Sequence, residues 1–362
     1  MPFTAEELTN INNSALENFL ERGTVFKQNV ANKPMLKAFD VARGTFSGGN
    51  TNVSLGVKGG QGGGSLSGYS HDDQVGYYTP ANNKRVKFPW KEHHIGITIT
   101  HTELKTDGIE VIENGSDQST SMVDGREEHA LANLYEEKLD ELGEDYAYSL
   151  DDLIHGDGST DTKALAGIQS LILASPAVGT TGGLSRITNA YWRNRAATAA
   201  FAAAGGQGAI TSNTAAGGAL LQFLQKEKRQ LQKFAQGGVR HRCFAGSDFI
   251  DAMEKELRAN GAYSQNGFNN RQAVNGAMDT MEGVPFGDWT IVYDPTMDRL
   301  GHAKRLNVID MRRVKLLYMN GQRMKKHNPA RPYDRYVMYN GITTTAVMVA
   351  QQLNTSGVYD IA

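Results

Sequence analysis

The sequence predicts an α+β fold. Three observations carry that prediction: a one-sided apolar stripe of helical period between about residues 121 and 155, a strand–helix–strand middle, and a strand-rich tail. A fourth feature, a long extension tipped by Gly59-Gly60-Gln61-Gly62-Gly63-Gly64, belongs to no core.

The elements follow in chain order. Phe3 to Arg22 has a weak helical pattern, with Leu8, Ile11, Ala15, Leu16 and Phe19 on one side. Gly23 can end it, and Lys33-Pro34-Met35 is expected to break regular structure. Arg43 to Leu55 reads as one strand. Val75 to Tyr78 and Val86 to Trp90 read as its return. The glycine tip between them has almost no side chain to bury, so it cannot support a core of its own. A lone hairpin is marginal in water, so this one is expected to rest on another molecule. Ile95 to Thr100 alternates and is rich in β-branched residues, a strand pattern.

The best helix carries Leu131, Tyr135, Leu139, Leu142, Tyr146, Leu150 and Leu153, at steps of three and four. Leu165 to Leu173 is compact and apolar, and Gly179 to Arg186 is a glycine turn. Gly218 to Ala235 is a second helix, with Leu220, Leu224, Leu231 and Phe234 inward. Val239 to Ala245 is a buried strand. Ser247 is placed to cap a helix through Ala259, with Phe249, Ile250, Met253 and Leu257 inward. Strands follow at Trp289–Tyr293, ended by Asp294-Pro295, then at 306–309 and 314–318. The tail strands, 336–338 and 343–353, are split by Asn340-Gly341.

Composition narrows the function classes. The chain has 362 residues and a net charge of −2, unlike a dedicated nucleic-acid binder, which is usually basic. Its single cysteine, Cys243, excludes an internal disulfide and suits a reducing compartment. The N-terminus lacks the basic start and apolar run of a secretory signal. The alanine-rich 196–204 stretch is too short to span a bilayer, so no membrane role is expected. Glycine, 40 of 362 residues, is about 11% against a usual level of about 7%.

No motif for chemistry emerges. There is no phosphate-cradling Gly-x-x-x-x-Gly-Lys-Ser/Thr loop. The glycine tip fails the dinucleotide pattern, because Ser67 stands where the third glycine belongs. His93 and His101 share a strand face but lie about 26 Å apart at about 3.3 Å per residue. His241 and Cys243 are too few for a structural zinc site. Satisfied or exposed histidines and a buried cysteine are the plain reading, with no catalytic residue, no metal and no cofactor.

Charge is segregated. Asp124 to Asp152 holds eleven acidic residues against Arg126 and Lys138, and Arg299 to Arg335 holds eleven basic residues against Asp310 and Asp334. Paired carboxylates such as Glu136-Glu137 point apart on a helix, so a solvated acidic face explains them. The basic segment, with Tyr318, Tyr333 and Tyr336 interleaved, suits either phosphate contacts or the acidic helix of a neighbouring copy. Near-neutral net charge favours the second.

Gly167-Ile168-Gln169-Ser170-Leu171-Ile172, Gly182-Gly183-Leu184-Ser185-Arg186 and Trp192-Arg193-Asn194 then occur in a spacing that resembles the Hong Kong 97-type major capsid proteins of tailed bacteriophages. Asp248 to Gly261, Gly283-Val284-Pro285 and Asp294-Pro295 add to the resemblance. It implies an N-terminal arm over 1–42 and an extended loop over 43–90. A peripheral domain over 91–162 would carry a spine helix at about 121–155. An axial domain over 163–314 and late strands over 315–362 would complete the subunit. It implies a structural protein that assembles as pentamers and hexamers into an icosahedral shell around double-stranded DNA. Expected partners are a separate scaffolding protein, a portal and a decoration protein, besides non-specific contact with the DNA. Lys58, Gly60, Gly62, Gly63, Glu136, Glu137, Asp140, Arg186, Trp192, Arg193, Arg312 and Arg313 are the expected subunit-contact residues. Some members form a covalent lysine–asparagine cross-link; Lys58 is the only lysine near the glycine tip and nothing singles out Asn328 or Asn340 as its acceptor, so none is expected. A nucleic-acid-binding or scaffold-associated protein and an α+β enzyme with an unrecognised site are the alternatives.

Overall fold

Pro34 starts a helix instead of breaking one. In the computed structural model the helix runs Pro34–Val41 with proline in its first turn, where the missing N–H costs nothing, and it buries Met35, Leu36 and Phe39. The structure describes residues 3–4, 33–60, 64, 66–79, 82–106, 111–112, 125–202, 208–211, 219–235, 241–259, 284–286, 289–327 and 337–362. The helix expected over Phe3–Arg22 lies outside these residues, except that Phe3–Thr4 is a strand, paired in parallel with Val111–Ile112.

The chain forms two compact units. The first comprises residues 1–31, 92–152 and 319–345. It holds most of the long helix, Gly125–His155, which realises the 3–4 spacing of the stripe. Leu139 and Leu142 pack with Ile342, Ile95, Ile97 and Met324. Tyr146 Oη and Thr344 Oγ1 share a buried hydrogen bond of 3.0 Å. The strand Lys91–Thr100 ends in a capping box, where Glu103 accepts from Thr100 N–H and Thr100 Oγ1 accepts from Glu103 N–H. That hydrogen bond from the Thr100 backbone holds the Glu103 carboxyl below its usual range, and Lys138 lies 3.7 Å away. The Thr-x-x-Glu signature at residues 100–103 opens a short helix, His101–Thr106, that the strand pattern of the preceding residues does not predict.

The tail strand is continuous from Val337 to Ala350, not split at Asn340-Gly341. Gly341 pairs in register with His327 of the strand Lys325–His327. A Cβ on Gly341 would lie 2.4 Å from His94 Nε2, so the glycine marks a close approach inside a sheet and not a turn.

The second unit comprises residues 32–91, 153–318 and 346–362. Its six-stranded sheet runs in the order Val284–Phe286, Trp289–Tyr293, His241–Ala245, Arg305–Asp310, Gly357–Asp360, Arg195–Ala197. Two neighbour pairs are parallel and the other three antiparallel. The helices Ala219–Gln232 and Ser247–Ala259 bring Leu220, Leu224, Leu231, Phe249 and Met253 into the same core as Cys243, Ile291 and Val308. Phe234, expected inward, lies beyond the helix end and is 40% exposed. The residue before Ala219 is glycine, so the sequence supplies no capping side chain there. Glu256 of the other helix supplies it, its buried carboxylate accepting from Leu220 N–H at 3.2 Å and Leu221 N–H at 3.1 Å. Glu256→Ala is expected to destabilise the fold by about 1–2 kcal/mol, read as a lower urea midpoint; an unchanged midpoint would show that the cap contributes nothing.

The turn expected at Asp294-Pro295 closes the strand Trp289–Tyr293 and opens a short helix, Pro295–Arg299, capped by Asp294 through Thr296 N–H. The other Asp294 oxygen lies 3.0 Å from Nε2 of buried His155, at the last turn of the long helix.

Candidate functional site

The extension is an antiparallel hairpin. Asn52–Lys58 pairs with Asn83–Pro89, from Asn52 opposite Pro89 to Lys58 opposite Asn83. Gly44–Phe46 is a separate strand, so Arg43–Leu55 is two strands, not one. Residues 75–78 are not in a strand. Tyr77 and Tyr78 lack strand partners, and only the 83–89 stretch returns.

The stem does not wait for another molecule. Val57, Val86 and Phe88 are buried within this chain. Gly182, at φ +61°, lies against Val86 and Phe88, where a Cβ would stand 3.0 Å and 3.1 Å from them. Lys87 N–H donates to Gly182 O at 2.9 Å, and Lys84 Nζ donates to Asn189 Oδ1 at 2.8 Å. Gly59 lies on the ring of Tyr191 so closely that any side chain there would overlap it. Gly59 therefore serves close packing, and Gly182 serves both close packing and its left-handed backbone.

The tip is different. Leu66 and Tyr77 are almost wholly exposed, at 106% and 93%, and Tyr69, Val75 and Tyr78 are exposed with them. Gly64 sits against the Tyr78 ring, and Ser70–Asp73 closes a turn through Asp73 Oδ2, which accepts from Ser70 N–H at 2.7 Å. Five large apolar or aromatic residues on one coreless tip are costly to leave in water and mark a contact surface.

Of the expected contact residues, Arg186 and Trp192 take an internal role instead, because both side chains are buried inside the chain. Arg186 donates to Thr181 Oγ1 at 2.9 Å, Asn194 Oδ1 at 2.7 Å and Leu171 O at 2.5 Å. Burial, and secondarily the neighbouring Arg193, pull its pKa down to about 10, which leaves it charged at neutral pH. Trp192 Nε1 donates to Thr181 O, and Arg193 donates to Arg186 O and Ile187 O. Asn194 Nδ2 donates to Leu173 O at 2.9 Å, and Asn194 Oδ1 accepts from Leu173 N–H at 3.0 Å. The Gly-Gly-Leu-Ser-Arg and Trp-Arg-Asn motifs are thus the two halves of one knot that fastens the 167–174 segment.

Lys58 and Gly60 are exposed at the stem end of the tip. Gly62 and Gly63 lie outside the described residues. Glu136, Glu137 and Asp140 lie on the long helix, and Glu141 and Asp145 beyond them are exposed. Arg312 is exposed in the turn after Arg305–Asp310, with Arg313 half-buried beside it. The basic segment is not uniformly outward, since Arg305 is bound twice by Asp360, at 2.8 and 3.1 Å. Asn340 is buried, while Asn328 lies outside the described residues.

His241 is a satisfied, half-buried histidine. Its Nδ1 accepts from Trp289 Nε1, so Nε2 carries the proton and donates to Thr355 O; burial pushes its pKa down. Cys243 is fully buried, and burial pushes its thiol far up.

No protein-family model matches the sequence, and no curated protein matches it. Solved structures do match along nearly the whole chain. A chain of the cyanophage A-1(L) capsid asymmetric unit matches with a TM-score of 0.57 at 12% identity, over 91% of this chain and 93% of that one. One from the cyanophage Pam1 capsid asymmetric unit matches with a TM-score of 0.51 at 15% identity, over 86% of each chain. At such identities it is architecture that is shared, and this chain has the Hong Kong 97-type fold of phage capsid chains.

Proposed function

We propose that this chain is the major capsid protein of a tailed bacteriophage. Its copies assemble as pentamers and hexamers into the icosahedral head shell that encloses the double-stranded DNA. The observation that carries this reading is the hairpin: its stem is fastened to its own subunit, and its tip presents Leu66, Tyr69 and Tyr77 with none of the described residues of that subunit over them. A fastened stem fixes the direction of the tip, and a neighbouring copy is the surface that a repeating shell provides. The fold match over about nine-tenths of the chain supports the same reading. An enzymatic role finds no support in Cys243 or His241, and no group of three metal-ligating side chains stands together among the described residues. No helix among them is long and apolar enough to cross a membrane.

Negative-stain electron microscopy of the chain, expressed alone and with its neighbouring genes, tests the proposal. Shells, rings or sheets of five- and six-fold units are the expected result. A monodisperse small particle in both samples would overturn it.

A further inference from the structure

Two exposed imidazoles face each other across a glycine in the first unit. His94 stands on the strand Lys91–Thr100 and His327 on Lys325–His327, and both strands pair with Val337–Ala350 from opposite sides. Gly341 of that middle strand is in register with His327, and His94 Nε2 lies directly over it. Gly96 completes the bed, since a Cβ there would stand 3.0 Å from His94 Cε1. The two rings meet edge to face, with centres 6.1 Å apart and planes at 87°. Any larger residue at 341 would overlap the His94 ring.

We propose that His94 and His327 form a binding site for one late first-row divalent metal ion, of the class Ni2+, Cu2+ or Zn2+. Imidazole nitrogens suit these ions and bind them at about 2.0–2.1 Å. That bond length puts each ring centre about 3.2 Å from the metal, so two rings on one ion stand about 4.5 Å apart at a right angle, about 5.2 Å at the tetrahedral angle and about 6.4 Å when opposed. The observed 6.1 Å lies near the opposed limit, and closing by about 1 Å through side-chain rotation of the two exposed rings brings them to tetrahedral spacing. The two imidazoles are the protein's whole contribution, with water at the remaining positions, because no third ligand joins them among the described residues. His93 faces the other side of the strand. Glu92 and Lys325, two residues along from the histidines on the same face, are both exposed and oppose each other in charge.

The site is independent of the capsid proposal, and its test does not need assembly. The purified full chain is titrated calorimetrically with NiCl2 and, separately, loaded with Cu2+ for electron paramagnetic resonance. One Ni2+ per chain and a Cu2+ signal split by two imidazole nitrogens are expected. His94→Ala and His327→Ala should each weaken Ni2+ binding about tenfold or more and remove the two-nitrogen pattern. His71→Ala, at the exposed tip, should change neither. Metal-free melting of all three variants should match the parent chain, since the replaced side chains are exposed. Absence of Ni2+ binding, or equal binding by the His94 and His327 variants, would overturn the proposal.

Discussion

Arg186→Ala is expected to lower folding stability by about 3 kcal/mol. The guanidinium joins Leu171 O, Thr181 Oγ1 and Asn194 Oδ1, which come from three separate stretches of chain. Its removal leaves those acceptors short of a donor inside the protein, where each unmade hydrogen bond costs about 1–3 kcal/mol. The vacated volume adds a cavity cost, and relief from burying the charge offsets part of the total. Arg186→Met keeps much of the volume, so it separates packing from hydrogen bonding. Arg186→Lys should recover little, because one ammonium cannot reach all three acceptors as a planar fork does. Urea unfolding followed by tryptophan fluorescence reads the effect, with Trp192 bonded to Thr181 O beside the site. Equal midpoints for the parent and Arg186→Ala would show that the knot is not what holds this segment.

On the proposed capsid role, the double variant Leu66→Ser/Tyr77→Ser is expected to abolish shell formation while leaving the subunit's melting within about 2 °C of the parent. Both side chains are almost fully exposed, and among the described residues neither packs into a core. Their loss therefore costs the isolated subunit little. Burial of such side chains against a neighbour is worth about 1.5–3 kcal/mol each. That gain recurs at every copy of a closed shell, so its loss compounds. Microscopy of the double variant, beside circular dichroism, reads both halves of the prediction. Normal shells from it would show that the tip is not an assembly contact. A collapsed melting temperature would show that the tip is part of the subunit's own core.

Much of the architecture was legible in local pattern. The 3–4 stripe from Leu139 to Leu150 became the long helix, because a helical period buries one face whatever lies opposite. The alternation of Ile95, Ile97 and Ile99 became a strand for the matching reason, at period two. The exposed tip followed from composition, since glycines cannot build a core.

Roles that depend on a distant partner were not legible. Asn340-Gly341 carries a turn signature, but it continues a strand because His94, far earlier in the chain, lies across it. Arg186 resembles a surface contact until Asn194, Thr181 and Leu171 close around it. The cap on Ala219–Gln232 comes from Glu256, a residue of a different helix. The His94–His327 pair joins residues from strands more than two hundred positions apart, which no spacing rule along the chain connects. The sequence by itself determined where the chain is helical, where it is extended and which tip has no core, since those depend on side-chain periodicity and short-range backbone preference. Only the tertiary structure decided what each glycine, arginine and histidine is for, because that depends on which group the fold places within a few ångströms of it.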